Sequence, residues 1–357
     1  MSWKSVLYEY VQNRNSMDVD CSAQTIQPYV TDERYMEIQQ KRLARMLERA
    51  ETGGGRPVQK ETRLRLMDAD DWGDEVHVKI ALLQETVYET LGKRLIEYKM
   101  EEEWLSMHLR NGLWMISRIV TGVGESNPAS SIYGDAVAAF ERVSEEDVAM
   151  TSKTSVEWPV TSAIAATNGT NPIHQPYISN HVFSPMIGNG RYSVYQRDKV
   201  AAYADRWWNG ANPNYLHFEV DCSNYVSQCL FAGGAAMIYT GKRASGWWYQ
   251  GRTGNQELWS YSWAVAHSLQ LYLLSAKTGV RAEQKQHPQQ LELGDVIAYS
   301  WEGNGIYGHS VIVTAFTSDG MPLVNAHTVD SKHRYWDYRD SYAWTVRTQY
   351  RFLHIIL

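Results

Sequence analysis

The stretch Val220-Asp221-Cys222-Ser223-Asn224-Tyr225-Val226-Ser227-Gln228-Cys229-Leu230 puts a cysteine where its reactivity can be tuned. Tyr225, Val226, Cys229 and Leu230 recur at helical spacing, Asp221 suits an N-cap, and Gly233-Gly234 can supply a left-handed C-terminal cap. Cys222 therefore falls in the first turn of a helix. Unpaired backbone N–H groups and the positive end of the helix dipole favour the thiolate there, and the thiolate is the nucleophilic form. The plain alternative is a buried, inert thiol, which is the expectation for Cys229 in the middle of the apolar stripe. Cys229 lies two turns away, ~10 Å along the axis, too far for a disulfide with Cys222 on an intact helix. Cys21 is near no motif and is expected to be structural or at the surface.

A nucleophilic thiolate needs a base, and the base needs a third group to set its tautomer. The candidate base is His309 in Gly308-His309-Ser310-Val311-Ile312-Val313-Thr314, where it opens a β-rich run. Ser318-Asp319-Gly320 reads as a hairpin turn, and Leu323-Val324-Asn325-Ala326-His327-Thr328 as the return strand. Asn325 and His327, two apart, share one face of that strand. A strict two-residue turn pairs Thr314 with Asn325 and brings His327 nearer to His309, whereas a bulge would move the register by a residue. Both Asn325 and His327 stay candidates for the orienting role.

The elements that must carry these residues divide the chain. Residues 3–15 and 32–50 read as helices, the second carrying Tyr35, Ile38, Leu43, Met46 and Leu47 among charges and ending at Gly53-Gly54-Gly55-Arg56-Pro57. The period then changes to two, with Val76, Val78, Ile80 and Leu82 alternating with polar neighbours, and strand-like runs follow at 94–109 and 113–120. Asp68, Asp70, Asp71, Asp74 and Glu75 around Trp72 read as a solvated turn in preference to a metal site. From 122 to 189 breakers dominate around one short helical stretch at 133–142, and this segment reads as a linker or domain-spanning loop. The last part opens with helices at 197–208, from Asp221 and at 260–276, followed by strands at 295–300, 309–316, 322–328 and 346–356. The expectation is an α+β protein with an N-terminal α+β domain over 1–121 and a second domain over 190–357.

The order of motifs resembles a family. Asp221-Cys222-Ser223 heading an apolar helix, then Leu293-Gly294-Asp295-Val296-Ile297, then Gly308-His309-Ser310-Val311-Ile312-Val313, then a strand with a polar third residue is similar to NlpC/P60, CHAP and papain-like cysteine peptidases. More closely, Ala204-Asp205-Arg206-Trp207-Trp208-Asn209, Asn212-Pro213, Tyr215 and Phe218, with Asp221–Gln228, Gly294–Ile297 and Leu323–Thr328, resemble the bacterial "putative amidase" domain family over about 190–357. The resemblance implies a papain-like domain with Cys222 as nucleophile, His309 as base, and Asn325, or else His327, orienting it. It implies no metal and no cofactor. It also implies peptide or N-acyl amide bonds as substrate, with peptidoglycan stem peptides leading. Trp208, Asn209, Tyr215 and Trp248 are the candidate substrate-binding residues. The Cys222 N–H is one oxyanion donor, with Asn209, Asn214 or Tyr215 as candidate side-chain donors. The helices-then-meander order of the first domain loosely resembles NTF2-like domains and is read as a binding or dimerising module. The rival functions are a cysteine acyltransferase or protein deamidase, and a binding module with a vestigial site.

Composition excludes other classes. The 357 residues hold 34 basic and 40 acidic side chains, net −6, which lacks the basic excess of a nucleic-acid binder. The 44% apolar content suffices for a packed core in each of two domains. No run reaches the ~20 apolar residues of a membrane span, and Glu9 interrupts the N-terminus too early for a secretory segment, so a cytoplasmic location is the default expectation, with the cell wall or the exterior as the alternative if export uses another route. The 3 cysteines make no disulfide framework, and nine of the 14 tryptophans fall from Trp207 onward, as an aromatic core or an aromatic groove. Gly303-Asn304-Gly305-Ile306-Tyr307-Gly308 fits G-x-G-x-x-G but precedes a strand, so no helix N-terminus is available to cradle a pyrophosphate. Asn168-Gly169-Thr170 is a chance sequon in this context.

Overall fold

The computed structural model describes residues 2–121 and 194–357, Asn255 excepted; the helix expected at 133–142, the segment 122–189 and the Asn168 sequon lie outside the described residues. The chain forms two compact units, Met1–Ser126 with Val313–Thr348, and Asn127–Ile312 with Gln349–Leu357. Each is α+β, and its strand ladders are antiparallel. Among the described residues no helix is long and apolar enough to cross a membrane.

In the first unit, α1 (Trp3–Asp20) starts at Ser2, whose hydroxyl accepts from the Ser5 N–H, and stops at Cys21 in the left-handed region (φ 51°). The helix α2 (Glu33–Glu51) is capped by Asp32, which accepts from the Tyr35 N–H. A meander follows: β1 (Arg56–Asp71), β2 (Glu75–Thr90), β3 (Lys93–Arg110) and β4 (Leu113–Thr121). The alternation of β2 buries Val76, Val78, Ile80 and Leu82 in one core with Leu7, Tyr10, Leu43 and Met46 of the helices. The charge-rich sequence of β1 does not announce a strand, because an edge strand with few buried positions needs no apolar alternation. Asp68, Asp70 and Asp71 therefore sit at the end of β1, not in the turn. Asp71 accepts from the Trp3 indole N–H at 2.9 Å and from the Gly73 N–H at 3.0 Å.

The length of β3 allows it two partners on one edge. It pairs with β2 throughout, while its C-terminal half pairs with β4 and Lys99 and Tyr98 pair with β11 (Ser331–Tyr335). The other edge of β11 carries β10 (Pro322–Ala326), through Leu323↔Tyr335 and Val324↔Arg334. Segment 313–348 thus shares a sheet with the N-terminal meander.

Buried ion pairs fasten this unit. Arg14 binds Glu101 at 2.8 Å and Glu103 at 2.6 Å, and Arg42 and Lys60 converge on Asp18. Arg49, 1% exposed, lies 3.4 Å from Asp340 and 3.6 Å from Asp337, and Arg334 reaches Asp340 at 2.9 Å. Desolvation offsets most of the Coulombic gain of such pairs, so their main effect is to make any other seating of these elements cost several kcal/mol through an unpaired buried charge. Asp340 is held well below the carboxylate range by Arg334, Lys99 and Arg49. Glu97 is pushed up to about 7, by burial first and by the charge on Asp340 second. A carboxyl with a raised pKa stabilises the fold below its unfolded pKa and loses that contribution as pH rises through about 7. Glu97→Gln, which mimics the protonated acid, is expected to raise stability at pH 8 by on the order of 1–3 kcal/mol and to change it little at pH 4.5. Denaturant midpoints at the two pH values check this, and an equal shift at both would contradict it.

In the second unit, α3 (Arg197–Trp207) packs beside α4 (Cys222–Ala232), and a hairpin of β5 (Tyr249–Thr253) and β6 (Gln256–Trp259) leads into two short helices, α5 (Tyr261–Ala264) and α6 (Ala266–Ser275). The single helix expected over 260–276 is interrupted at Val265, which is extended (φ −118°, ψ 122°). Strands β7 (Arg281–Lys285), β8 (Val296–Ser300), β9 (His309–Phe316) and β12 (Gln349–Ile356) pair in the order β9-β8-β12-β7. The stripe Tyr225, Val226, Cys229 and Leu230 of α4 packs in one core with Val296, Ile312, Leu353, Trp247 and Trp263. Gly233 is required where α4 ends, since a Cβ there would lie 2.3 Å from Val200 Cγ2, and Gly234 takes the left-handed turn (φ 97°). Asp295, fully buried, ties the ends of this unit together: it accepts from Arg197 Nη1 at 2.7 Å and the Ile355 N–H at 2.9 Å, and pairs with His354 Nδ1 at 2.8 Å.

Candidate active site around Cys222

Cys222 opens α4 as expected, and the side chains around it fix where the helix starts. Asp221 occupies the N-cap position, but its carboxylate turns away from the helix backbone: Oδ1 accepts from the Phe218 N–H at 3.0 Å and from Asn224 Nδ2 at 2.8 Å. Asn224, fully buried, also donates to the Leu216 carbonyl at 2.8 Å and accepts from the Trp263 indole N–H at 2.8 Å. One turn on, Ser227 donates to the Trp263 carbonyl at 2.7 Å and accepts from the Trp247 indole at 3.0 Å. The incoming chain, the first turn of α4 and the aromatic wall are thereby held as one polar network inside an apolar core. Nothing in the hydrophobic pattern marks Asn224 or Ser227 for this. They are two of four polar residues in this helix, with Ser223 and Gln228, and the sequence does not separate them from the others.

The nucleophile end of α4 lies against the start of β9. Ser223 Oγ donates to Ser310 Oγ, of the residue after His309, at 3.4 Å, and the Cys222 sulfur lies 3.7 Å from Ser223 Oγ. His309 is buried at the first position of β9, opposite Tyr299 of β8. Its ring centroid is 5.7 Å from that of Tyr299 and 5.9 Å from that of Trp301, against which it stacks. These aromatic neighbours restrict the imidazole to few orientations.

Burial pushes the Cys222 thiol above its ordinary value, against hydrogen bonds from the Ser310 N–H and Ser223 that favour the thiolate; the neighbouring Asp221 charge adds to the rise. Burial here works against the thiolate that the first turn of a helix favours. Cys229 is fully buried in the α4 stripe and its thiol is also driven up by burial. Cys21 is half-buried at the end of α1, and all three cysteines are free thiols.

Asn325 and His327 belong to the other unit. Asn325 is fully buried on β10, and its Oδ1 accepts from Thr314 Oγ1 at 2.8 Å and from the His333 backbone N–H at 2.8 Å. His327, one residue beyond the end of β10, is 3% exposed. The Thr317 N–H donates to the Met321 carbonyl at 2.9 Å and the Gly320 N–H to the Thr317 carbonyl at 3.1 Å, with Gly320 left-handed (φ 82°), so the turn takes three residues, 318–320, and carries the bulge in place of a strict two-residue turn.

The expected binding residues fare differently. Trp208 and Tyr215 are half-buried and Asn209 is exposed. The Tyr215 ring lies against Tyr249 at 5.1 Å and stacks on Trp263 at 6.1 Å, so much of it is committed to the aromatic wall. Trp248, expected to meet substrate, is 2% exposed and donates its indole N–H to the carbonyls of Lys242 and Ser245. It braces a loop, and its sequence context of three consecutive aromatics gave no means of separating the two roles. Arg243, which no motif singles out, lies on that loop.

Residues 194–353 match the family model described as "Putative amidase domain". This chain is 47% identical over 167 residues to the uncharacterized protein YhbB of Bacillus subtilis (strain 168), a stretch that is 47% of this chain and 52% of that protein; the chain thus spans about half the length of this relative. A crystal structure of the intermembrane space region of the chloroplast protein ARC6 is similar at 14% identity over 34% of this chain and 96% of that one. Its TM-score of 0.22 is too low to define a common fold. The family match covers residues 194–353 and bears on the second half of the chain alone. Because Asn224 is fully buried and bonds Asp221, the Leu216 carbonyl and the Trp263 indole, Asn224→Ala is expected to cost about 2–4 kcal/mol of stability. Thermal unfolding of the full chain checks this, and a loss below ~0.5 kcal/mol would show that the network does not hold the first turn.

Proposed function

We propose that the C-terminal domain, about residues 190–357, is a papain-like, NlpC/P60-type cysteine amidase whose nucleophile is Cys222 and whose base is His309. The observation that carries this reading is that Cys222 opens a buried helix whose next residue, Ser223, hydrogen-bonds Ser310, the residue after His309 at the head of β9. The reaction begins from a neutral thiol. As the sulfur attacks the amide carbonyl carbon, its proton passes to His309, and the carbonyl oxygen takes the negative charge within reach of the Cys222 backbone N–H. The tetrahedral intermediate collapses, the C–N bond breaks, and the imidazolium returns the proton to the leaving amine. A water, deprotonated by His309, then splits the thioester and releases the acid and the thiol. The raised thiol pKa accords with proton transfer in concert with attack in place of a preformed ion pair.

The third residue is read from the hydrogen bonds of Asn325. A backbone N–H can only donate, so the Asn325 atom facing His333 N is oxygen, and that oxygen accepts two hydrogen bonds within its own sheet. This use favours a structural role for Asn325, and His327 is read as the residue that orients His309. Peptides and N-acyl amides, peptidoglycan stem peptides first among them, are the substrate class, and the N-terminal unit is read as a binding or dimerising module with an NTF2-like arrangement of helices and meander.

Incubation of the full chain with muropeptides and synthetic peptides, followed by mass spectrometry, is expected to give cleaved amide bonds that are absent with Cys222→Ala. Transfer of the acyl group to an added amine, with no hydrolysis, would move the protein to the acyltransferases. On the substrate so found, His327→Ala is expected to lower kcat about 10²-fold. Asn325→Ala is expected to reduce stability more than turnover, and the reverse order would give the orienting role to Asn325.

A further inference from the structure

The meander of the N-terminal unit buries one face against its helices, and its other face carries a concavity of about 360 Å³. That volume is in the range of small-ligand sites, ~300–1,000 Å³. Its lining follows from the strand register. Asp68↔Lys79, Lys79↔Trp104 and Trp104↔Val120 make one row across β1, β2, β3 and β4, and Asp70↔His77, His77↔Ser106 and Ser106↔Arg118 make the next. Residues directly opposite share a face, so both rows stand on one side of the sheet, while Val78 and Leu105 between them are buried in the core. The outer strands are irregular at this place. The register slips between Leu66 and Asp68 of β1, and again where β4 meets Ser106 and Met107 of β3. The extra residue of β4, Ser117, donates its hydroxyl to the Ser106 carbonyl at 3.1 Å. A bulge bends its strand and sharpens the local twist, and these two flank the concavity.

Part of the lining is fixed in place. Lys79 lies over the Trp104 ring, 4.9 Å from its centroid, and pairs with Glu102 at 2.8 Å. His77 Nδ1 meets Ser106 Oγ at 2.9 Å, and Nε2 lies 3.0 Å from Glu75. The rest is open to a ligand. Trp104 is 40% exposed, and among the described residues Asp70 and Arg118 have no side-chain hydrogen bond or ion pair. The negative face of an exposed indole attracts C–H groups. The charged lining is two carboxylates, Asp68 and Asp70, and two cations, Lys79 and Arg118. A charged ligand of either sign meets its own sign there as well as the opposite one. A neutral ligand dense in hydroxyl groups donates to the carboxylates and accepts from the cations at once. Apolar C–H faces with hydroxyl groups around the rim describe a pyranose sugar. Strands ~4.8 Å apart put Asp70 and Arg118 ~14 Å apart across the sheet, a span that needs more than one such ring.

We propose that this concavity is a saccharide site whose ligand is a neutral oligosaccharide, with one pyranose ring stacked on Trp104 and hydroxyl groups along the chain bound by Asp70 and Arg118. Asp68 and Asp70, which the sequence offers as part of a solvated turn, thereby acquire a use. The proposal rests on the reading of the N-terminal unit as a binding module and is independent of the reading of Cys222.

The test titrates the full chain by isothermal calorimetry with cellotetraose, maltotetraose, mannotetraose and chitotetraose, using Cys222→Ala as the parent so that binding is read apart from turnover. The acidic tetramer of galacturonic acid and the cationic tetramer of glucosamine serve as charged counterparts. At least one neutral tetrasaccharide is expected to bind, and both charged tetramers to bind at least ~10-fold more weakly. Trp104→Ala is expected to weaken binding at least ~10-fold, and Arg118→Gln and Asp70→Asn about 5-fold each. No binding of any neutral tetramer, tighter binding of a charged one, or an affinity unchanged in Trp104→Ala would overturn the assignment. Sedimentation velocity then separates the two ways it can fail. A dimer that Trp104→Ala splits into monomers, with no saccharide bound, would make this face a self-association surface and the N-terminal unit the dimerising module. Neither binding nor a dimer would overturn the binding-module reading as well. If Trp104→Ala does not fold, Arg118→Gln and Asp70→Asn decide: an unchanged affinity in both would overturn the site.

Discussion

Burial of the Cys222 thiol disfavours the charge that would make it reactive, and the second unit is organised around that constraint. The first turn of α4 is held by Asp221, Asn224 and Trp263, so the sulfur sits in an apolar core with Ser223 Oγ 3.7 Å away. A thiol in such a place stays protonated until a base takes its proton. This makes the residue at the head of β9 as important as the cysteine. Strand β9 begins at the point where α4 begins, and the register of β8 against β9 sets His309 opposite Tyr299.

The first unit solves a different problem with the same chemistry. Its core is apolar between the helices and β2, but toward β11 it is filled by carboxylates and guanidinium groups that must all be paired. Pairing of that kind is poor at adding stability and good at rejecting alternative arrangements. Because Arg49, Lys99 and Arg334 meet on Asp340, segment 313–348 is committed to the N-terminal meander. Strand β10, with Asn325, is carried by that commitment, which gives the N-terminal residues a structural stake in a strand that the sequence order alone assigns to the other half of the chain.

Much of the fold was legible because its periodicities are clean: β2 to β4, α2, α4, β8 and β9 stand where their apolar spacing puts them. What escaped was of two kinds. Strands β1, β7 and β11 are rich in charge, since an edge position or an ion-paired interior removes the need for alternation. The break at Val265 follows from tertiary packing around the aromatic wall, and local propensity does not report it. At the candidate site the sequence points to Cys222 and His309 by residue type and position, and the structure sets them at the heads of α4 and β9. The parts played by Asn224 and Ser227 were not legible, because they come from partners that lie far away in sequence, such as Trp263 and Trp247.

The account stands or falls on whether His309 activates Cys222. The most direct measurement is the rate of alkylation of each cysteine by iodoacetamide between pH 6 and 10, resolved by peptide mass spectrometry, in the wild type and in His309→Ala. The account predicts that at neutral pH wild-type Cys222 reacts at least ~10-fold faster than Cys21 or Cys229, and that in His309→Ala its rate falls to theirs and recovers only as the pH becomes alkaline. Equal, slow labelling of all three cysteines in both proteins would contradict it.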